Sequence, residues 1–111
     1  MPESQQLGEF EQLVLLAIAR LADDAYGVAI RQDIVTHGRR SVSVGALYVT
    51  LDRLEKKGYV RSSWGEATAV RGGRAKRYYV LTAAGISALS AARARMDRMW
   101  VGVDLRSLKR S

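Results

Sequence analysis

The chain has no cysteine, a single histidine and no long hydrophobic run. Each absence removes a class of function. Without cysteine there are no disulfides, no thiolate nucleophile and no cysteine-ligated zinc. His37 stands alone, so no histidine metal cluster forms and no Ser-His-Asp order around it is persuasive. Beside Gly38 it reads as a capping or exposed residue at a helix end. No apolar stretch approaches the length of a membrane span, and the opening MPESQQLGEF lacks the basic-then-apolar order of a signal peptide. The expected compartment is the cytoplasm, with no membrane partner. Gly72-Gly73-Arg74 lacks the spacing of a Walker loop or a dinucleotide fingerprint, and no helix follows it directly. Carboxylates are few and mostly in the first half. No enzyme, no metal and no cofactor is expected.

What is present is positive charge, unevenly placed. The 111 residues carry a net charge of +7. Residues 1–55 hold five basic and eight acidic groups, and residues 56–77 hold seven basic and one acidic. Residues 78–92 hold none, and 93–111 hold six basic and two acidic. A basic block of this kind suits a polyanion-binding face, because each cation set at a phosphate releases condensed counterions. A merely soluble basic surface explains the charge equally well. The length suits one modest core.

Hydrophobic spacing supplies the architecture. From Glu9 to Leu21 the apolar positions recur at helical intervals over most of the circumference, so a first helix sits centrally in the core. A second helix is expected from about Tyr26 to Val35, with Gly38 as a left-handed stop. Ser43 caps a third, strongly amphipathic helix, in which Val44, Leu47, Leu51 and Leu54 share one sector. YVRSSW and AKRYYVLT alternate, which predicts two strands joined by a glycine-bearing loop. Val60, Ser62 and Trp64 share one strand face, as do Arg77, Tyr79 and Leu81. Trp64, Tyr79 and Leu81 are expected in the core between hairpin and helices, with Tyr78 exposed on the opposite face.

Thr82 caps a last, long helix whose Ile86, Leu89, Arg93, Met96, Trp100 and Val103 repeat at alternating spacings of three and four, as in a paired-helix seam. The fold class is therefore mainly α with a small β hairpin (α+β): a winged helix-turn-helix over residues 1–81, then a C-terminal dimerisation helix and basic tail over 82–111.

These residues resemble the PadR family of bacterial transcriptional regulators. The likeness lies in Tyr26-Gly27, in GALY-x-TL-x-RLE-x-x-G over residues 45–58, and in Trp64-Gly65. It continues through Gly72-Gly73-Arg74, KRYY-x-LT over residues 76–82, and Gly85. It spans about residues 9 to 100. The resemblance implies a homodimeric winged-helix DNA binder, usually a repressor, paired through its C-terminal helix, and of the short branch that has one such helix. The family usually has proline where this chain has Val49. Some short members stack flat aromatic drugs on a tryptophan of the C-terminal helix; that position is Met96 here, with Trp100 one turn later.

Base readout falls to the third helix. Ser43, Gly45 and Ala46 lie at its N-terminal end, where free N–H groups favour a phosphate and small side chains permit close approach. Tyr48, Val49 and Arg53 project from the outer side. Arg53 either pairs with guanine, worth ~1–3 kcal/mol of discrimination, or is a surface arginine bonded to Asp52 or Glu55. Tyr26 either donates to a phosphate or packs edge-on against helix three. Arg71, Arg74 and Lys76, with Arg77, suit backbone or minor-groove contact. Leu89, Met96, Met99, Trp100 and Val103 form a dimer seam or, more sharply, an apolar pocket for a small planar aromatic effector. The expected partners are double-stranded DNA with a pseudo-palindromic operator and a second copy of the chain. The rival is a winged-helix protein–protein module whose basic hairpin only solubilises.

Overall fold

The computed structural model describes residues 6–65 and 75–108. The first helix, α1, spans Glu9–Leu21. Its entry is fixed by Glu11, whose Oε1 accepts from the Gly8 N–H at 2.9 Å, satisfying a donor that the helix leaves open. Val14, Leu15, Ala17 and Ile18 are buried, as expected of a helix that is apolar nearly all round. The chain then turns through a short 3-10 segment, Ala22–Asp24.

Helix α2 runs Gly27–Gly38, three residues beyond the expected end at Val35. The left-handed residue that stops it is Arg39, φ 51°, and not Gly38. Nothing between Val35 and Gly38 breaks the helical ladder, and the last turn is tied by His37 Nδ1 to Asp33 Oδ1 at 3.1 Å. Asp33 also takes Arg20 Nε of α1 at 3.0 and 3.2 Å, so one buried carboxylate joins the ends of both helices. Arg31 donates through Nε to the Val42 carbonyl at 2.6 Å and holds the turn that follows.

Helix α3 spans Val44–Lys56, capped as expected by Ser43, whose Oγ accepts from the Ala46 N–H at 3.1 Å. Leu47, Leu51 and Leu54 are buried, together with Thr50. Val44 was expected in the same sector but is exposed, because the first turn of α3 projects past the packed helices.

Strands β1 (Val60–Trp64) and β2 (Arg77–Leu81) pair antiparallel, with Val60 opposite Leu81, Ser62 opposite Tyr79 and Trp64 opposite Arg77. Val60 and Tyr79 are buried and Leu81 packs against the core. Trp64, expected beside them, is 69% exposed. It sits at the far end of the ladder, opposite Arg77, at the rim of the concavity that Tyr26 and Tyr48 also line. Tyr78, expected exposed, is half-buried: its ring meets Tyr26 edge-on at 5.7 Å, and Tyr79 N–H bonds the Ala25 carbonyl at 2.9 Å.

Helix α4, Ala83–Trp100, starts at Thr82, whose Oγ1 accepts from the Gly85 N–H at 3.0 Å and donates to the Gly58 carbonyl at 2.6 Å. Only Gly85 and Ala92 of this helix are buried. The expected seam stops short: Val101 leaves the helix, Gly102 takes φ 80°, and Val103 lies outside it. A four-residue turn of helix, α5 (Leu105–Leu108), follows. The radius of gyration is 16.8 Å, against roughly 13 Å for a compact chain of this length. The excess fits the 61 Å long axis and a helix carried clear of the core.

Candidate nucleic-acid interface

Three elements converge on one side of the molecule. The first is the N-terminus of α2, where Tyr26 occupies the cap position without a side-chain hydrogen bond to the first turn. The second is the outer side of α3, where Gly45, Ala46, Tyr48, Val49 and Arg53 are all exposed. The third is the hairpin, reached through Lys76. Tyr48 lies across Gly27 so closely that a Cβ there would fall on the phenol ring, which explains a glycine at the opening of α2. A concavity of about 350 Å³ lies at this junction, lined among others by Tyr26, Tyr48, Trp64 and Lys76.

The cations in this region divide into two kinds. Lys76 is exposed, with its ammonium 4.1 Å from the Tyr26 ring centroid. Arg77, next in sequence, is also exposed but turns toward α3. Its Nη2 donates to Glu55 Oε1 at 2.9 Å and its Nε to Ser62 Oγ at 3.0 Å, while Ser62 donates to Glu55 Oε2 at 2.6 Å. The guanidinium also lies 5.9 Å from the Trp64 centroid and 5.7 Å from that of Tyr79. Burial pushes the Tyr79 phenol above its ordinary pKa of 10.0, with Arg77 acting in the opposite sense.

Arg53 takes neither carboxylate that the sequence offered it. Asp52 pairs with Lys56 at 3.0 Å and Glu55 with Arg77. Among the described residues Arg53 has no ion-pair partner. Tyr26 meets Tyr78 and Lys76 and not α3 edge-on. Arg71 and Arg74 lie outside the described residues. The Glu55–Ser62–Arg77 ring escaped the sequence reading. Its signal was there: Ser62 and Arg77 share a strand face, and Glu55 closes the helix that the hairpin follows.

A second candidate region runs along α4. Leu89 packs partly against the core, whereas Met96, Met99 and Trp100 are exposed, Met99 to 71%. Between α1 and α4 lies a groove of about 450 Å³ lined by Leu16, Leu89, Arg93 and Met96 among others. Among the described residues no group of histidines and carboxylates is arranged to hold a metal, and no helix is long and apolar enough to cross a membrane.

Residues 14–91 match the Transcriptional regulator PadR-like family. The transcriptional regulator Rv3488 of Mycobacterium tuberculosis is 38% identical over 77 residues, which are 69% of this chain and 67% of that protein. Among solved structures, a PadR family transcriptional regulator from Eggerthella lenta superposes with a TM-score of 0.68 at 26% identity, covering 93% of this chain and 88% of the other. A PadR-like transcription factor from Bacteroides fragilis gives 0.66 at 28% identity, over 81% and 82%. The order of helices and hairpin, the residue match and these likenesses agree: this chain belongs to the PadR-like family, whose members are winged-helix transcriptional regulators and not enzymes.

Proposed function

We propose that the protein is a homodimeric, sequence-specific DNA-binding repressor of the bacterial cytoplasm. The observation that carries this reading is the shared surface of α2, α3 and hairpin. There Tyr48 of α3 and the outward Lys76 meet around Tyr26, and Arg53, exposed farther along α3, has no ion-pair partner among the described residues. On this reading α3 enters the major groove, with Tyr48, Val49 and Arg53 toward base edges and the small residues Gly45 and Ala46 close to a phosphate. Tyr26 and Lys76 meet the flanking backbone, and Arg71 and Arg74 extend that contact. Pairing through Met96, Met99 and Trp100 sets two reading helices in symmetric relation, which calls for a pseudo-palindromic operator. A planar aromatic effector at the dimer interface is the regulatory part of the reading, supported by the exposed Met96, Met99 and Trp100 of α4 and by the groove that Leu89 and Met96 line.

The deciding experiment is anisotropy titration of a short random duplex at several salt concentrations. The expected result is binding everywhere, falling steeply with salt, and a slope reduced by about one unit in Lys76→Gln. Indifference to DNA at low salt would instead favour the protein–protein module. For the effector, aromatic ligands should change both Trp100 emission and DNA affinity.

A further inference from the structure

Lys76 and Arg77 are adjacent cations at the loop end of the hairpin, yet their side chains go different ways. Lys76 reaches outward over Tyr26. Arg77 reaches back to α3 and closes a ring of three hydrogen bonds with Glu55 and Ser62. The direction of every proton in that ring is determined by chemistry. A guanidinium only donates and a carboxylate only accepts, so the Ser62 hydroxyl gives its proton to Glu55 and takes one from Arg77. Both carboxylate oxygens are thereby occupied, one by Arg77 and one by Ser62. Chains of such bonds polarise one another, and a charged member at each end makes them short and directional. The guanidinium also lies over the rings of Trp64 and Tyr79, within cation–π range of both.

The ring joins the last turn of α3 to the middle of β1 and the first residue of β2. No other side-chain hydrogen bond among the described residues ties α3 to the hairpin beyond its base. The remaining hairpin-to-helix bonds, through Tyr79 N–H, Thr82 and Tyr59, lie elsewhere.

We propose that Glu55, Ser62 and Arg77 form a strut that sets the angle between the DNA-reading helix and the wing, and that Arg77 is a positioning residue and not a phosphate contact. The inference rests on the DNA-binding reading above. A protein that must touch a rigid duplex with α3 and wing together gains affinity when the two are held at the right separation before contact. The strut also keeps a carboxylate on the DNA-facing half of the molecule, where Coulomb repulsion alone works against binding.

That conflict gives the test its sign. Removing Glu55 takes a negative charge from the neighbourhood of DNA, and electrostatics alone predicts tighter binding. The strut predicts the reverse. Anisotropy titrations of a short random duplex would compare the unmodified protein with Glu55→Ala, Ser62→Ala, Arg77→Ala and Lys76→Gln, after thermal unfolding has shown each to be folded. Glu55→Ala and Arg77→Ala are expected to bind about tenfold more weakly, the scale of one hydrogen bond to a charged group. Their salt slope should match that of the unmodified protein, while Lys76→Gln loses about one unit of slope. Ser62→Ala should lie between. Combining Glu55→Arg with Arg77→Glu should restore part of the affinity through the reversed pair.

A tighter Glu55→Ala, together with a slope one unit lower in Arg77→Ala, would make Arg77 a phosphate contact and overturn the proposal. So would variants that bind as the unmodified protein does. If the unmodified protein ignores DNA at every salt concentration, the functional reading fails and the strut's role in DNA binding falls with it. That result is distinct from the case in which the parent binds and its variants match it. A second readout needs no DNA: in a Trp100→Phe background, Trp64 emission should shift on Glu55→Ala as it does on Arg77→Ala. An unchanged emission in Glu55→Ala means that Glu55 does not hold Arg77 against the indole.

Discussion

Helices α3 and α4 are both amphipathic and both begin at a hydroxyl cap, yet they dispose of their apolar residues in opposite ways. The shorter α3 buries Leu47, Leu51 and Leu54 against α1, α2 and β1. The longer α4 buries only Gly85 and Ala92 and leaves Ile86, Met96, Met99 and Trp100 in the open, followed by Val101, Val103, Leu105 and Leu108. So many large apolar side chains left open along one helix and the turn after it are unusual on a protein that acts alone. The head of the molecule is thus complete within one chain, whereas the sequence of α4 makes physical sense when a second surface covers it.

The sharpest way to break this contrast is to truncate one large side chain in each half. Leu54→Ala opens a cavity in a site that is fully buried. It should cost ~2–5 kcal/mol in urea-induced unfolding, by an amount that does not change with protein concentration. Trp100→Ala removes a side chain half-exposed in the single chain. Its effect should appear in self-association, weakened by about 2 kcal/mol or roughly thirtyfold in sedimentation equilibrium, as for a central aromatic of an interface. If Trp100→Ala leaves association untouched while Leu54→Ala becomes concentration-dependent, the division into a self-sufficient head and a partner-dependent helix is wrong.

The same contrast explains which features were legible in the sequence. Helix α1 falls where the periodicity put it, and Ser43 and Thr82 cap as expected, because both signals span three or four residues and need no knowledge of the neighbours. Val44 and Trp64 were misjudged for one common reason. Each has the right character and phase for its element, but whether it is covered depends on what the other elements place against that end of it. Arg39, and not Gly38, takes the left-handed turn, one residue beyond the expected stop. Tyr26, Tyr48 and Lys76 line one concavity and Val49 and Arg53 are exposed on α3, yet the turn of Arg77 toward α3 was hidden in the same basic run as Lys76. A run of like charges does not say which member will meet a carboxylate contributed by another element, and Glu55 lies 22 residues upstream.

The smallest expected effect probes the join between the two halves of the head, through Tyr79. Burial disfavours its phenolate, so its pKa in the folded chain is raised above the 10.0 of an ordinary tyrosine, despite the opposing pull of Arg77. For a group whose folded pKa is raised, the native state holds the proton more tightly than the unfolded one. The associated stability is fully present below pH 10 and is lost as pH rises from there through the folded value. Other groups titrate in that range, so the useful quantity is a difference. The melting temperature of the unmodified protein minus that of Tyr79→Phe should stay constant on approaching pH 10 and then decline. Phenylalanine keeps the ring that packs on Val60 and the core but has no proton to lose. Arg77→Ala sharpens the point. Without the guanidinium that favours the phenolate, the decline should extend to higher pH, since the folded pKa moves further up while the unfolded one stays fixed. A difference that is flat across the whole alkaline range would mean that the Tyr79 hydroxyl reaches water and that the hairpin packs less tightly on α3 than its buried ring implies.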